Sequence, residues 1–154
     1  YPLAVDAFTQ ADLLNPSDPL PDIYLARVYQ TQGSYATAIQ YAEKAIADDP
    51  NDTYLYGTLG VLYYRNFEYP KAIENLRLVV KGGVSEAGVE VEPLPLDYGS
   101  VSTYYQIYGL SLARSGECTE ALQISEALLQ NVGGDEITVF NAGEIVNICN
   151  GTSE

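Results

Sequence analysis

A set of small and aromatic residues returns along this chain at a constant interval. Leu25, Ala26, Tyr29, Ala38, Ala42, Ala45 and Pro50 are followed about 34 residues later by Leu59, Gly60, Tyr63, Ala72, Leu76, Val79 and Val84. A period of that length marks helix pairs stacked in an array, because a pair buries its apolar face only against the pair beside it. Ala26 and Gly60 let neighbouring helices approach closely, and Tyr29 and Tyr63 fill the layer between them. Ala36, Ile39, Ala42 and Ile46 share one helical face, as do Ile73, Leu76 and Val80. Ser34 and Asp52 stand where helix N-caps belong, and Gly33, Gly82 and Gly116 where helices stop. Eight helices and no sheet of consequence are expected.

The segment from Ile23 to Asp52, with its turn at Gly33 and its closing Asp49, Pro50, Asn51 and Asp52, resembles the tetratricopeptide-repeat family. One period back, Ala4, Phe8, Ala11 and Pro16 match the second helix and closing proline of a unit whose first helix is absent. Forward of Gly60, the register is recovered at Tyr108, Gly109, Leu112, Ala121, Ser125 and Leu128 only after about fifteen extra residues, and Ala142, Gly143 and Val146 open a further unit. Val84 and Gly133 stand where the pattern closes on proline, and Ser125 where it has a large apolar residue. The resemblance implies an all-α, right-handed superhelical array of antiparallel helix pairs. Its parts are a partial unit over 1–18, units over 19–52 and 53–86, an inserted loop over 87–101, a unit over 102–135 and a terminal helix over 136–150. Tyr1 is not a native start, and with the half unit it suggests an excised piece of a larger protein. The Gly- and Pro-rich insert reads either as a functional loop or as a mobile insertion that the array tolerates.

Charge and composition remove several functions. The 21 acidic against 7 basic residues give a net charge of −14, which disfavours nucleic acid, whose phosphates need clustered Lys and Arg. An anionic membrane surface is disfavoured for the same reason, and no apolar run reaches the length of a membrane span. Histidine is absent, and with it the commonest general base, nucleophile partner and metal ligand. Neither a phosphate-binding glycine loop nor a nucleophile elbow is present. Asp48 to Asp52 lacks the alternating ligands and closing Glu of a calcium loop. Glu90, Glu92 and Asp97 are carboxylates without a base or nucleophile beside them. The expectation is a non-enzyme with no cofactor and no metal.

Binding remains. In the resembled family the first helices of successive units line a concave groove that takes an extended peptide or a partner helix. The outward positions of that layer here are Ile23, Arg27 and Gln30, then Tyr54, Gly57, Val61, Tyr64 and Arg65, then Gln106, Leu110, Ala113 and Arg114. Tyr and Arg dominate binding hot spots through large contact area and directional hydrogen bonds, although 14 tyrosines also serve as packing between helices. The reading is a protein or peptide partner held in the groove, with a structural spacer and a glycan-binding module as its rivals. The Lys and Asn that clamp a peptide's terminal carboxylate in some relatives are not in place.

Cys118 and Cys149 fall at the start of one helix and near the end of the next, hence at the same end of an antiparallel pair. Helix axes about 8–10 Å apart allow two inward thiols to meet, so the pair reads as a disulfide or as two buried free thiols. A disulfide implies an extracytoplasmic setting, and free thiols return the chain to the cytoplasm. Asn51 and Asn150 begin glycosylation sequons, which carry little weight.

Overall fold

The computed structural model describes residues 2–151. Its helices, in chain order, are α1 (Pro2–Leu14), α2 (Leu20–Thr31), α3 (Tyr35–Asp48), α4 (Thr53–Arg65), α5 (Tyr69–Lys81), α6 (Ser100–Arg114), α7 (Cys118–Val132) and α8 (Glu136–Cys149), with the two-residue strands β1 (Gly83–Val84) and β2 (Glu90–Val91) between α5 and α6. Each helix packs on the next, and α6 also packs on α4 on one side and on α8 on the other, as an inner layer. The fold is an all-α helical repeat array.

The repeat register becomes packing. Leu25, Leu59 and Tyr108 face the interior at equivalent points of α2, α4 and α6, and Ala38, Ala72 and Ala121 are fully buried where α3, α5 and α7 cross them. At Gly60 a Cβ would lie 2.4 Å from Leu76 Cγ, so only a hydrogen fits between α4 and α5. The turns inside the pairs need a left-handed residue. Gly33 (φ +77°) and Gly116 (φ +79°) supply it, and Phe67 adopts the same conformation (φ 62°) with a side chain. That costs about 1–2 kcal/mol relative to glycine.

Capping is uneven. The Asp52 carboxylate accepts from Tyr54 N at 3.1 Å, and Asp135 accepts from Thr138 N at 3.0 Å. Ser34 sits at the N-cap of α3, but its hydroxyl makes no capping bond. The expectation for Ser34 is corrected there, because its backbone (ψ 67°) departs from the extended conformation typical of a capping residue.

Ionic contacts tie neighbouring elements together. The buried Tyr108 hydroxyl donates to the Glu120 carboxylate, which also meets Lys81 Nζ at 2.9 Å and Arg77 at 4.0 Å. Burial pushes Glu120 up, but hydrogen bonds from Tyr108 and Lys81 and the charges of Lys81 and Arg77 leave it below the ordinary glutamate value. It therefore stays ionised and joins α5, α6 and α7.

Asp22, in the first turn of α2, is fully buried, and among the described residues its carboxyl oxygens meet only the Lys44 ammonium, at a distance too long for a good hydrogen bond. Lys44 Nζ lies 3.5 Å from Asp22 but bonds Asp12 at 3.0 Å, so one ammonium serves two carboxylates. Burial, against the opposing charge of Lys44, raises the Asp22 carboxyl above its ordinary 3.8. A carboxyl raised on folding binds more protons in the native state, so its cost to stability appears as pH climbs from the unfolded value through the folded one. Asp22→Asn keeps the shape without the charge. It is expected to raise the melting temperature at neutral pH by about 2–4 °C, and the gain should vanish below the ordinary value of 3.8, where both chains are neutral at this site. Thermal melts of the two proteins across that range check it; a gain independent of pH would remove the buried charge as its cause.

The connection between α5 and α6 spans 82–99 and opens at the Gly82 stop expected from sequence, where Gly82 (φ +69°) and Gly83 (φ +136°) end α5 at once. Gly83 pairs with Val91 and Val84 with Glu90 in an antiparallel hairpin. The segment is stitched down. Leu94 N donates to Val79 O at 2.8 Å, Thr53 Oγ1 to Glu92 O at 2.6 Å and the Tyr105 hydroxyl to Leu94 O at 2.6 Å, while Val91 enters the core at 2% exposure. The mobile-insertion reading does not fit a loop bonded to α4, α5 and α6.

Candidate partner-binding groove

The inner layer opens into a cavity of about 180 Å³ between α2, α4 and the start of α6, lined by Ile23, Arg27, Gln30, Thr58, Val61, Ser100, Thr103 and Tyr104. Helical spacing explains the membership. Ile23, Arg27 and Gln30 lie along one face of α2, and Thr58 and Val61 along the matching face of α4, while Leu59 and Leu62 turn into the core.

Of the positions expected from sequence, Arg27, Gln30 and Val61 meet in this cavity. Tyr54 stands at its edge, half exposed, with its ring 6.4 Å from that of Tyr104 in an edge-on arrangement. Tyr64 and Arg114 lie at the far ends of α4 and α6, where Arg114 Nε donates to the Tyr64 hydroxyl at 3.1 Å. Arg65 is exposed beside them.

Gln106 and Leu110 are corrected: both are buried, at 3% and 6% exposure, and neither opens on the groove. Gln106 donates to Thr138 Oγ1 at 2.9 Å and accepts from Asn141 Nδ2 at 2.6 Å, so α8 covers the face of α6 on which these positions lie. Ala113 is buried as well. Gly57 lies beneath the Tyr104 ring, which stands 2.6 Å from where a Cβ would be.

Thr58, Ser100, Thr103 and Tyr104 were not among the expected positions. The last three precede the first residue of α6 that the repeat register assigns to the groove, and the extension of α6 back to Ser100 brings them in. Gly99 (φ +83°) ahead of Ser100 is the signal that could have marked this early start. Burial raises the Tyr104 hydroxyl above the ordinary tyrosine value, so it remains a neutral hydrogen-bonding group at the cavity wall.

The cavity offers apolar contact at Ile23, Val61 and Tyr104, hydroxyls and an amide at Thr58, Thr103 and Gln30, and one cation at Arg27. Of the seven Lys and Arg residues, Lys44, Lys71, Arg77 and Lys81 are held in ion pairs and Arg114 by Tyr64. Arg27 and Arg65 make no ion pair among the described residues. No group of three or more His, Cys, Asp or Glu among the described residues is placed to hold a metal ion. No described helix is long and apolar enough to cross a membrane.

At the C-terminal end, Cys118 opens α7 and Cys149 closes α8, with Cα atoms 5.6 Å apart and the sulfurs in disulfide contact.

Comparisons with known proteins agree with this architecture. The family model described as tetratricopeptide repeat matches residues 23–48. Anaphase-promoting complex subunit 6 of Arabidopsis thaliana is 37% identical over 70 residues, which is 46% of this chain and 13% of that protein, so the match spans a small part of its relative. The crystal structure of the MamA protein superposes over 96% of this chain and 74% of its own, with a TM-score of 0.68 at 16% identity. The second such domain of human RPAP3, solved in complex with the HSP70 peptide SGPTIEEVD, covers 82% of this chain and 97% of its own, with a TM-score of 0.61 at 19% identity.

Proposed function

We propose that this helical repeat array, whose residues 23–48 match the tetratricopeptide-repeat family model, is a non-catalytic protein-interaction module that holds an extended peptide or a partner helix against the inner faces of α2, α4 and α6. The cavity at Arg27, Val61 and Tyr104 carries this reading, because apolar wall, hydrogen-bonding groups and a cation that makes no ion pair among the described residues coincide there. An apolar side chain of the partner seats against Val61 and Tyr104, and an acidic group meets Arg27. The peptide complex of the RPAP3 domain supports a peptide as occupant. The Cys118–Cys149 contact supports an extracytoplasmic setting, where such bonds persist.

The test is a peptide-array screen followed by titration of the strongest peptides. Arg27→Glu combined with Val61→Glu should weaken them by roughly tenfold or more, the scale of a hot-spot loss, with the helical circular dichroism unchanged. Tyr64→Ala with Arg65→Ala separates the far rim from the cavity. Unchanged affinity for every peptide in the cavity variant would sink the groove and leave the spacer reading.

A further inference from the structure

A second opening lies on the other side of α4. A cavity of about 600 Å³ sits between α3 and α5, with Tyr56, Leu59 and Tyr63 of α4 as its floor and the β1–β2 hairpin, from Val84 to Ala87, as its roof. Its volume is in the range of about 300–1,000 Å³ typical of ligand sites. The roof is held in place. Ser85 N donates to Val89 O at 2.8 Å, Ser85 Oγ accepts from Val89 N at 3.2 Å, and the strand that follows is pinned through Val91 and Leu94. The cavity is therefore formed before any ligand arrives.

Its lining is divided. Ile46, Leu59 and Leu78 make the interior apolar, while the carboxylates of Glu43, Glu74 and Glu86 gather from three separate elements at the mouth. Lys71 is the one cation among these residues, and it already pairs with Glu68 at 3.6 Å and lies 5.4 Å from the centre of the Tyr63 ring. Glu74 and Glu86 make no ion pair among the described residues. Glu43 accepts from the Tyr63 hydroxyl at 2.7 Å. Burial, helped by that carboxylate, pushes the Tyr63 hydroxyl up, so it stays protonated and holds Glu43 at the rim.

An apolar pocket with an anionic mouth matches one kind of side chain: a long aliphatic stem with a cationic tip, which buries its methylenes and keeps its charge at the surface. We propose that this cavity is a second binding site, distinct from the groove, that takes an arginine or lysine side chain of a partner polypeptide. The stem lies on Ile46 and Leu78 beneath Val84, and the cation reaches Glu43, Glu74 and Glu86. The hairpin inserted after α5 is what makes the site, because without the segment from Val84 to Ala87 the space between α3 and α5 has no roof.

The probe is an N-acetylated Leu-Arg-Leu amide, with Leu-Glu-Leu as its control, titrated into the isotopically labelled chain and followed by amide chemical shifts. Saturable shifts at Ile46, Asn75, Leu78 and Val84 to Ala87, given by the Arg peptide and not by the Glu peptide, are the expected result. Glu43→Gln, Glu74→Gln and Glu86→Gln together should weaken binding roughly tenfold or more, as loss of several partly exposed charge contacts predicts. Arg27→Glu with Val61→Glu, which alters only the groove, should leave it unchanged. Three outcomes overturn the proposal: no saturable shift, shifts that survive the triple substitution and so report general attraction to an acidic surface, or shifts confined to Thr58 and Thr103 in the groove. The last of these leaves the groove reading standing.

Discussion

Reduction of the Cys118–Cys149 bond is expected to destabilise the last helix pair more than any other single treatment. The two residues are separated by 31 positions, and a loop of that length restricts the unfolded chain by about 3–4 kcal/mol in the chain-entropy account. For a domain of this size the melting temperature should fall by on the order of 10 °C. The loss should be local at first. Helix α8 packs on α6 and α7 and buries only Thr138, Ala142 and Ile145, while Ile137 and Phe140 are each 67% exposed. With so little apolar surface removed from water, the bond at its last residue anchors the whole helix. Hydrogen exchange with and without reductant, or on the paired Cys118→Ser and Cys149→Ser substitutions, should show α8 amides losing protection before those of α4 and α5. Equal protection in both states would mean that packing alone holds α8. Intact mass after alkylation, with and without prior reduction, checks the bond itself. Thiols that react without reduction would remove both the staple and the reason for an extracytoplasmic setting.

The second large effect should come from a pair of positions sixteen residues apart in each unit. Ala26 corresponds to Ala42, Gly60 to Leu76 and Gly109 to Ser125. Where the first helix carries glycine in the second unit, the second helix carries its large partner. Gly60→Ala places a Cβ 2.4 Å from Leu76 Cγ, and Leu76 has no exposed surface into which to move. Overpacking of this kind costs about 1–3 kcal/mol, more than the gain of up to about 1 kcal/mol from alanine's helix propensity. Leu76→Ala alone should cost about 2–5 kcal/mol through the cavity it leaves. The double variant rebuilds the small pair of the preceding unit. It is expected to be more stable than Leu76→Ala by up to about 1 kcal/mol, because in the enlarged space the new methyl group is favourable. Urea titrations of the four proteins give the coupling. If Gly60→Ala is as harmful in the Leu76→Ala background as it is beside the native Leu76, the contact is not what limits that position.

These pairs also explain why so much of the architecture could be read from the chain. Helix pairs in an array meet through short-range contacts repeated at a fixed register, so Leu25, Leu59 and Tyr108 announce their buried places by spacing alone. Gly33 and Gly116 mark their turns in the same way, whereas Phe67 gives no composition cue for the same backbone. The groove was less legible. Arg27, Gln30 and Val61 followed the register to the surface, but Gln106 and Leu110 follow it into an interface, because whether a position is open depends on how closely the next helix of the layer approaches. The outer cavity left no trace in the register. It arises where α3, α5 and an insert that interrupts the repeat happen to enclose space, and its lining comes from four elements that no local pattern connects.

One helix separates the two openings. Tyr56, Leu59 and Tyr63 of α4 look toward the outer cavity and Thr58 and Val61 toward the groove, and no lining residue belongs to both. Inheritance can therefore treat the faces as separate traits. A lineage can exchange the side chains on one side of α4 while the other side keeps its own, so the groove and the roofed cavity are free to diverge at different rates on a single scaffold.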